Sequence, residues 1–418
     1  MSSVLNSSSF GRRSSRSRRG IIAFTALIML SVLVVVTLAA MEEMALESRA
    51  AQNRNAVRQA YMCAHTGIDY CLYLSRQSAA WRTEFGNGDW LSDYDAGGGA
   101  VTVSVLDPDG GAISSDPADP VRMTATATCG PAKRTVSALA QPPPGLALKY
   151  VLCSTSSTDL WLKAGVRVYG DLRATGQVKG DPGVYLAGNI YTAPGANVDL
   201  LLIDADTQVI ETSRTVPAPT VDFTWYKSIA QRLTLPAEGG NYVIYDARLT
   251  PDYNPYGFTS EQGLYWFDAG GAEVYIENVC VIGTLIITNA KKTRIRKGYH
   301  HTTHAAKYPA LLSDSEIAVE IEYNLDENGR SVDFNNDGDT TDFLVSQIRG
   351  VIYSTKKVTG MQRGTAPGPF YFSGAVVADS VVISGVGLHV AYDPQLAETP
   401  VAGFQGPGLE LIPGSIED

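Results

Sequence analysis

Residues 18–43 read RRGIIAFTALIMLSVLVVVTLAAMEE, and Ile21 to Ala40 is a run of twenty residues without a charge. At about 1.5 Å rise per residue, a helix of that length spans about 30 Å, the hydrocarbon thickness of a bilayer. A removable signal sequence has a shorter apolar core of about 7–15 residues and a small-x-small cleavage site. Here Leu38-Ala39-Ala40-Met41 puts leucine where a small residue is wanted. Arg12, Arg13, Arg16, Arg18 and Arg19 precede the run with no acidic neighbour. By the positive-inside rule they hold the N-terminus in the cytoplasm and send the rest outward. Ser17-Arg18-Arg19 matches a twin-arginine export signal only superficially, because the apolar run is too long and too hydrophobic for one. The stretch therefore predicts a permanent single-pass anchor, with residues 21–40 in lipid.

The first twenty residues carry five arginines and no acid, so in a chain of net charge −10 the part beyond the apolar run carries −15. Such a body is a poor partner for nucleic acid or for an anionic membrane surface. Forty glycines, 21 prolines and only 18% charged residues among 418 suit a turn-rich β protein, with room for two or three domains. Cysteines number five. Cys63 and Cys71 lie about 12 Å apart along one predicted helix, too far for a disulfide. Cys129, Cys153 and Cys280 sit in apolar, strand-like stretches and read as buried thiols, a Cys129–Cys153 bridge being the alternative.

After Ala40 there is no proline before Trp81, and the only glycine there is Gly67. Small and apolar residues recur at Ala56, Ala60, Cys63 or Ala64, Gly67 or Ile68, and Cys71, three or four apart. A single helix from about Gly20 to Gln77 is expected, its last part offering a small-residue stripe to a partner surface. An anchor followed by a separate helix is the alternative. Arg19-Gly20, the apolar run and MALESRAAQNRNAVRQAYMCAHTGIDYCL together resemble the N-terminal segment of PilX-type minor pilins. In that family a basic leader ends in glycine, and the membrane helix passes into an Arg/Asn-rich and then an Ala-rich stretch. Glu47, Arg49, Asn53, Arg54 and Asn55 fit the former, and Gln59-Ala60-Tyr61 the latter. The resemblance implies cleavage between Gly20 and Ile21, a bacterial inner-membrane location, and packing of residues 21–77 against other pilin-like subunits. It covers residues 12–80. One departure stands out: major pilins carry glutamate at the fifth residue after the processing glycine, and counted from Ile21 that residue is Thr25. Several minor and tip-type pilin-like proteins also lack it, and the loss weakens the case for a main filament subunit.

AVTVSVL (100–106), VRMTATAT (121–128) and KRTVSALA (133–140) alternate apolar and polar residues between turn-rich gaps, DPDGG (107–111) and SSDPADP (114–120). They predict a small antiparallel sheet that buries the helix stripe, an α+β head over residues 41–141. QPPPG (141–145) marks the boundary. Beyond it, Gly165, Gly170, Gly176, Gly180, Gly183, Gly188 and Gly195 bracket runs of three to five strand-like residues, and 272–298 and 368–394 look similar. Short strands with glycine or asparagine corners predict an all-β, β-solenoid-like body over 146–418, with a β-sandwich as the alternative. The proline- and tyrosine-rich stretch of about 200–262 reads as an excursion from it. YPALLSD, RGVIYS, SGAVVADSVVISG and VAYDPQLAETPVAGF further resemble ectodomains of pilus-assembly-like proteins with β-helical bodies.

Asp333, Asn335, Asp337, Gly338, Asp339 and Asp342 have the spacing of a calcium loop, in which oxygen ligands alternate around a glycine. Position 12 is Leu344, so the bidentate acid is missing unless Asp342 supplies it. Bound calcium in a structural role is expected, a solvated acidic loop being the alternative. His300, His301 and His304 lack the acid and cysteines of a zinc motif and read as a surface loop. Lys292, Arg294 and Arg296 alternate along one strand, either as an ordinary exposed face or as a contact for an anionic partner. Asp171 and Asp181 are the only carboxylates that suggested a glycosidase-type pair, and no nucleophile or phosphate-loop motif accompanies them. The expected protein is therefore no enzyme. It is a minor-pilin or pseudopilin-like structural subunit with its body in the periplasm or on a filament. The alternative is an anchored surface-binding protein that joins no filament.

Overall fold

The computed structural model describes residues 16–78, 80–113, 116–199, 206–213, 216–362, 370–385 and 387–417. Most of the basic leader, including Arg12 and Arg13, lies outside them. One unbroken helix, α1 (Arg16–Gln77), joins the apolar run to the head. No proline interrupts it, and Gly67, its only glycine beyond the apolar run, is a packing site rather than a break. The alternative of two separate helices does not occur.

The head sheet is an antiparallel meander of β1 (Gly88–Asp95), β2 (Ala100–Leu106), β3 (Val121–Cys129) and β4 (Ala132–Gln141). The alternation read from the sequence is obeyed: Val101, Val103, Val105, Val121, Met123, Ala125, Ala127, Val136, Ala138 and Ala140 point inward and are fully or almost fully buried. They meet Cys63, Ala64, Ile68, Cys71 and Leu72 of α1. At the crossing α1 sits so close that a Cβ on Gly67 would lie 2.8 Å from Val101 Cγ2 and 2.9 Å from Val103 Cγ2. β1 was not legible in the sequence, because its register against β2 shifts twice and its apolar residues do not alternate. The sheet has a further edge strand. Glu410 and Leu411, near the chain's C-terminal end, pair antiparallel with Gln141 and Ala140 of β4.

The body is built from parallel strands stacked in three columns, which rules out the sandwich. In one, Leu285, Leu311, Ile352, Val376, Leu152, Leu172 and Ile190 follow one another in register. In the second the sequence is Thr293, Ile317, Val358, Val381, Leu160, Val178 and Val198. In the third it is Val281, His301, Ile348, Phe372, Val390, Val168 and Leu186. The arrangement is solenoid-like: each coil contributes one strand to each column, and the inward residues fuse into one core. Glycines punctuate it because the corner from third to first column leaves no space for a side chain. A Cβ on Gly374 would lie 1.9 Å from the carbonyl oxygen of Gly350 in the adjacent coil.

Spatial order differs from chain order. Residues 152–211 coil from the middle of the stack to one end. The chain then returns along the outside through the short helix Phe223–Ile229, N-capped by Asp222, which accepts from Thr224 N and Trp225 N. Coiling resumes at the opposite end, where Gln231 pairs with Tyr265, and runs back to the middle. The expected excursion of about 200–262 is thus too long at its far side, since Asn241–Leu249 is already a coil strand. The returning segment and residues 401–404 cover the outward residues of the first column, among them Ile286, Leu312 and Val377. That is why all five residues of Thr284–Thr288 are buried.

Candidate functional site

Two features have functional potential. The first is the exposed part of α1. Ile21, Phe24, Leu27, Met29, Leu33 and Val35 are all exposed, at 60–75% of their surface. The helix from Gly20 to Gln77 is long and apolar enough to cross a membrane, and among the described residues nothing buries its most apolar window. Leaving six such side chains in water forgoes about 1.5–3 kcal/mol each, so this segment requires lipid or protein around it. The transition falls along one helix: Ala60 and Ala64 are fully buried on the sheet, while Met44 and Leu46 are not. Gly20 and Ile21 lie in the exposed part. The Thr25 hydroxyl donates back to the carbonyls of Ile21 and Ile22 and so adds no polar contact to the helix surface.

The second is the acidic loop. It hangs from a two-stranded ribbon, Leu325–Asp326 against Phe343–Leu344. Phe334, the apolar interruption in the acidic run, is buried with Leu325 against Cys280 of the body and fixes the loop there. Of the predicted ligands, Asp333 turns back to accept from the backbone of Asn336 and Gly338. The Asn335 amide donates to Asp337 Oδ2 at 2.9 Å and to Asp342 Oδ2 at 2.8 Å. Asp339 and Asp342 do converge, and their third partner is Glu327, their ligand atoms all lying within 4.8 Å of one another. Glu327 is fully buried, and its two oxygens accept from Phe334 N, Asn335 N and Asp342 N. The sequence template stops at Asp333, so Glu327, six residues upstream on the ribbon, was missed. Hydrogen bonds from the Asp339 backbone and the Asn335 amide hold Asp337 below the ordinary carboxylate range, whereas its hydrogen bond with Asp342 raises the latter.

The remaining candidates resolve otherwise. His300 and His301 belong to the strand Lys292–Thr302, not to a surface loop. His301 is buried; its Nδ1 accepts from the Tyr299 hydroxyl at 2.7 Å and its Nε2 donates to the Gly283 carbonyl at 3.1 Å. Both nitrogens are occupied, and burial pushes its pKa down to about 4. Lys292, Arg294 and Arg296 do not await an anionic partner. They pair with Glu316 at 2.7 Å, with Glu273 and Glu320 at 3.2 and 3.4 Å, and with Glu277 at 2.5 Å, all from neighbouring coils. Asp171 and Asp181 tie coils together, the first accepting from Asn189 N and the second from Trp161 Nε1. All five cysteines are free and buried, so Cys129 and Cys153 are not bridged; Cys129 Sγ donates to the Gly98 carbonyl instead.

No protein-family profile matches the chain, and no curated protein matches it. Among solved structures it is similar to the competence-associated pilin ComZ from Thermus thermophilus, with 11% identity over 87% of this chain and 97% of that one. The TM-score is 0.31, too low for the likeness to bear on function.

Proposed function

We propose that the chain is a minor-pilin-like structural subunit, not a catalyst, anchored in a bacterial inner membrane by residues 21–40 with its N-terminus cytoplasmic and its body outside. The observation that supports this reading is the division of α1. One continuous helix is bare and apolar over its first part and embedded in its own sheet over its last. A plain anchor needs no rigid continuation into the folded head. A subunit that leaves lipid for a helical bundle does, because the same apolar face must move into contact with neighbouring helices as a unit. The basic leader ending at Gly20 adds processing before Ile21. The mature N-terminus, read by mass spectrometry on membrane and sheared-surface fractions, tests it. Chains beginning at Ile21 and recovered with filaments are expected. An intact leader together with absence from filaments refutes it in favour of an anchored surface-binding protein.

We also propose that Glu327, Asp339 and Asp342 hold a structural calcium ion. Three convergent carboxylates on a loop fixed by Phe334 suit a hard cation with oxygen ligands. When bound, the ion would offset their mutual repulsion and tie the ribbon to the body.

A further inference from the structure

Where α1 crosses β4, Arg54, Arg58, Lys133 and Arg134 line a cleft of about 390 Å³ beside Tyr61. None of the four has a carboxylate within 4.0 Å among the described residues. The four gather on one concave face of a part of the chain that carries net charge −15. Four unpaired cations around a concavity repel one another and attract an anionic partner.

Lipid headgroups do not reach it. Arg54 lies fourteen residues beyond Ala40, about 21 Å along the helix, while the headgroup layer is roughly 5–7 Å deep on each side. A complementary group does exist on the chain itself. Glu43 and Glu47 are exposed on α1, one turn apart, and Arg54 and Arg58 repeat that spacing eleven residues later. One axial displacement of about 16 Å between parallel helices therefore registers both pairs at once. Within one chain that displacement keeps the groups apart.

We propose that the cleft receives Glu43 and Glu47 of a second copy of this chain, whose α1 runs parallel and is shifted along the axis. The proposal rests on the assembly reading above and adds the register and the contact. Lys133 and Arg134, which β4 contributes, make the contact depend on the folded head as well as the helix.

The test is site-directed cross-linking of the full chain, in cell membranes and in the sheared-filament fraction. Glu47→Cys and Arg58→Cys are combined in one chain and treated with a bismaleimide too short to span the two sites within one helix. The native cysteines are buried. A ladder of multimers is expected from the double variant in the filament fraction, and monomers from membranes and from each single variant. Adding Arg54→Glu is expected to lower the multimer yield about tenfold or more, the scale of one close charge pair, and Glu43→Arg to restore it. Monomers alone, or an adduct with a different protein, overturn the pairing even if the chain is recovered with filaments. Absence of the chain from filaments overturns the assembly reading, whereas multimers in membranes, where both anchors lie at one depth, overturn the axial register.

Discussion

Replacing Gly67 by alanine tests the seat of α1 on the head sheet. In an exposed helix the change stabilises by about 1 kcal/mol, because glycine forfeits more backbone entropy on becoming helical. Here the new methyl would lie 2.8 Å from Val101 Cγ2, 2.9 Å from Val103 Cγ2 and 3.3 Å from Val101 Cγ1. Carbon atoms rest at about 3.5–4.0 Å, so the valines must withdraw by more than half an ångström. Both are fully buried, and a β-branched side chain in a strand has little rotamer freedom with which to yield. Overpacking of this kind costs about 1–3 kcal/mol. The net expectation is destabilisation by about 0–2 kcal/mol for alanine and more for valine, opposite in sign to the solvent-exposed case. Urea unfolding of the full chain in detergent measures it through tryptophan emission, since Trp81 and Trp90 stack edge to face at 5.6 Å in the head core. A double-mutant cycle with Val101→Ala removes two of the three close contacts, leaving Val103 Cγ2, and is expected to show a coupling of about 1 kcal/mol. A higher midpoint for Gly67→Ala, or strict additivity with Val101→Ala, would refute the close seat of the helix.

Acid should weaken the body through His301. Its folded pKa of about 4 lies below the unfolded value of 6.5, so the unfolded chain binds the proton first. The stability fully present above pH 6.5 is then lost as pH falls toward 4, by about 3 kcal/mol in all; replacing Tyr299 and His301 by phenylalanine and leucine should flatten the urea midpoint over that range. Lys307 bonds Asp116 at 2.9 Å and Asp119 at 2.8 Å, joining body to head. Lys307→Met leaves the buried Asp116 carboxylate without its cation and should cost about 3 kcal/mol in head stability, whereas an unchanged unfolding midpoint would make the pair idle. Calcium added to chelator-treated chain should raise the melting temperature, by the equivalent of about 2.7 kcal/mol at a hundredfold excess over the dissociation constant. Asp339→Asn with Asp342→Asn should abolish the rise, and a wild-type chain indifferent to millimolar calcium would dismiss the ion.

Local patterns carried much of the fold. The apolar run, the three-and-four spacing of Ala60, Ala64 and Cys71, and the alternation of β2, β3 and β4 each follow from a single element's geometry, so they could be read without knowledge of neighbours. What escaped depended on distant pairing. β1 has two register shifts, the edge strand at Glu410–Leu411 has only two residues, and neither leaves a periodic trace. The basic stretch Lys292–Arg296 gave no hint that Glu273, Glu277, Glu316 and Glu320 stand beside it, because coil-to-coil register is set by corners of irregular length. The acidic loop was legible as a loop, but the approach of Glu327 to Asp339 and Asp342 was not: Asp333 accepts from backbone amides, while Glu327 lies upstream of the template.

The returning chain imposes a seam in the middle of the body. There the last coils meet the first, with Val376 beside Leu152, Val381 beside Leu160 and Val390 beside Val168. Ordinary coil contacts such as Leu152 with Leu172 close about twenty residues, whereas Val376 with Leu152 closes more than two hundred. By loop-closure entropy the seam costs about 2 kcal/mol more to form than an ordinary coil contact. The head offsets that cost. Gln141 pairs with Glu410 and Pro144 bridges to Gln405, so the segments entering and leaving the body are held side by side. Leu409, fully buried in the head, has its N–H bonded to Ser75 Oγ of α1 at 3.0 Å. The helix, the head sheet and the segments that enter and leave the body are thus tied directly to one another, Leu409 and Glu410–Leu411 joining the exit of the body to α1 and to β4.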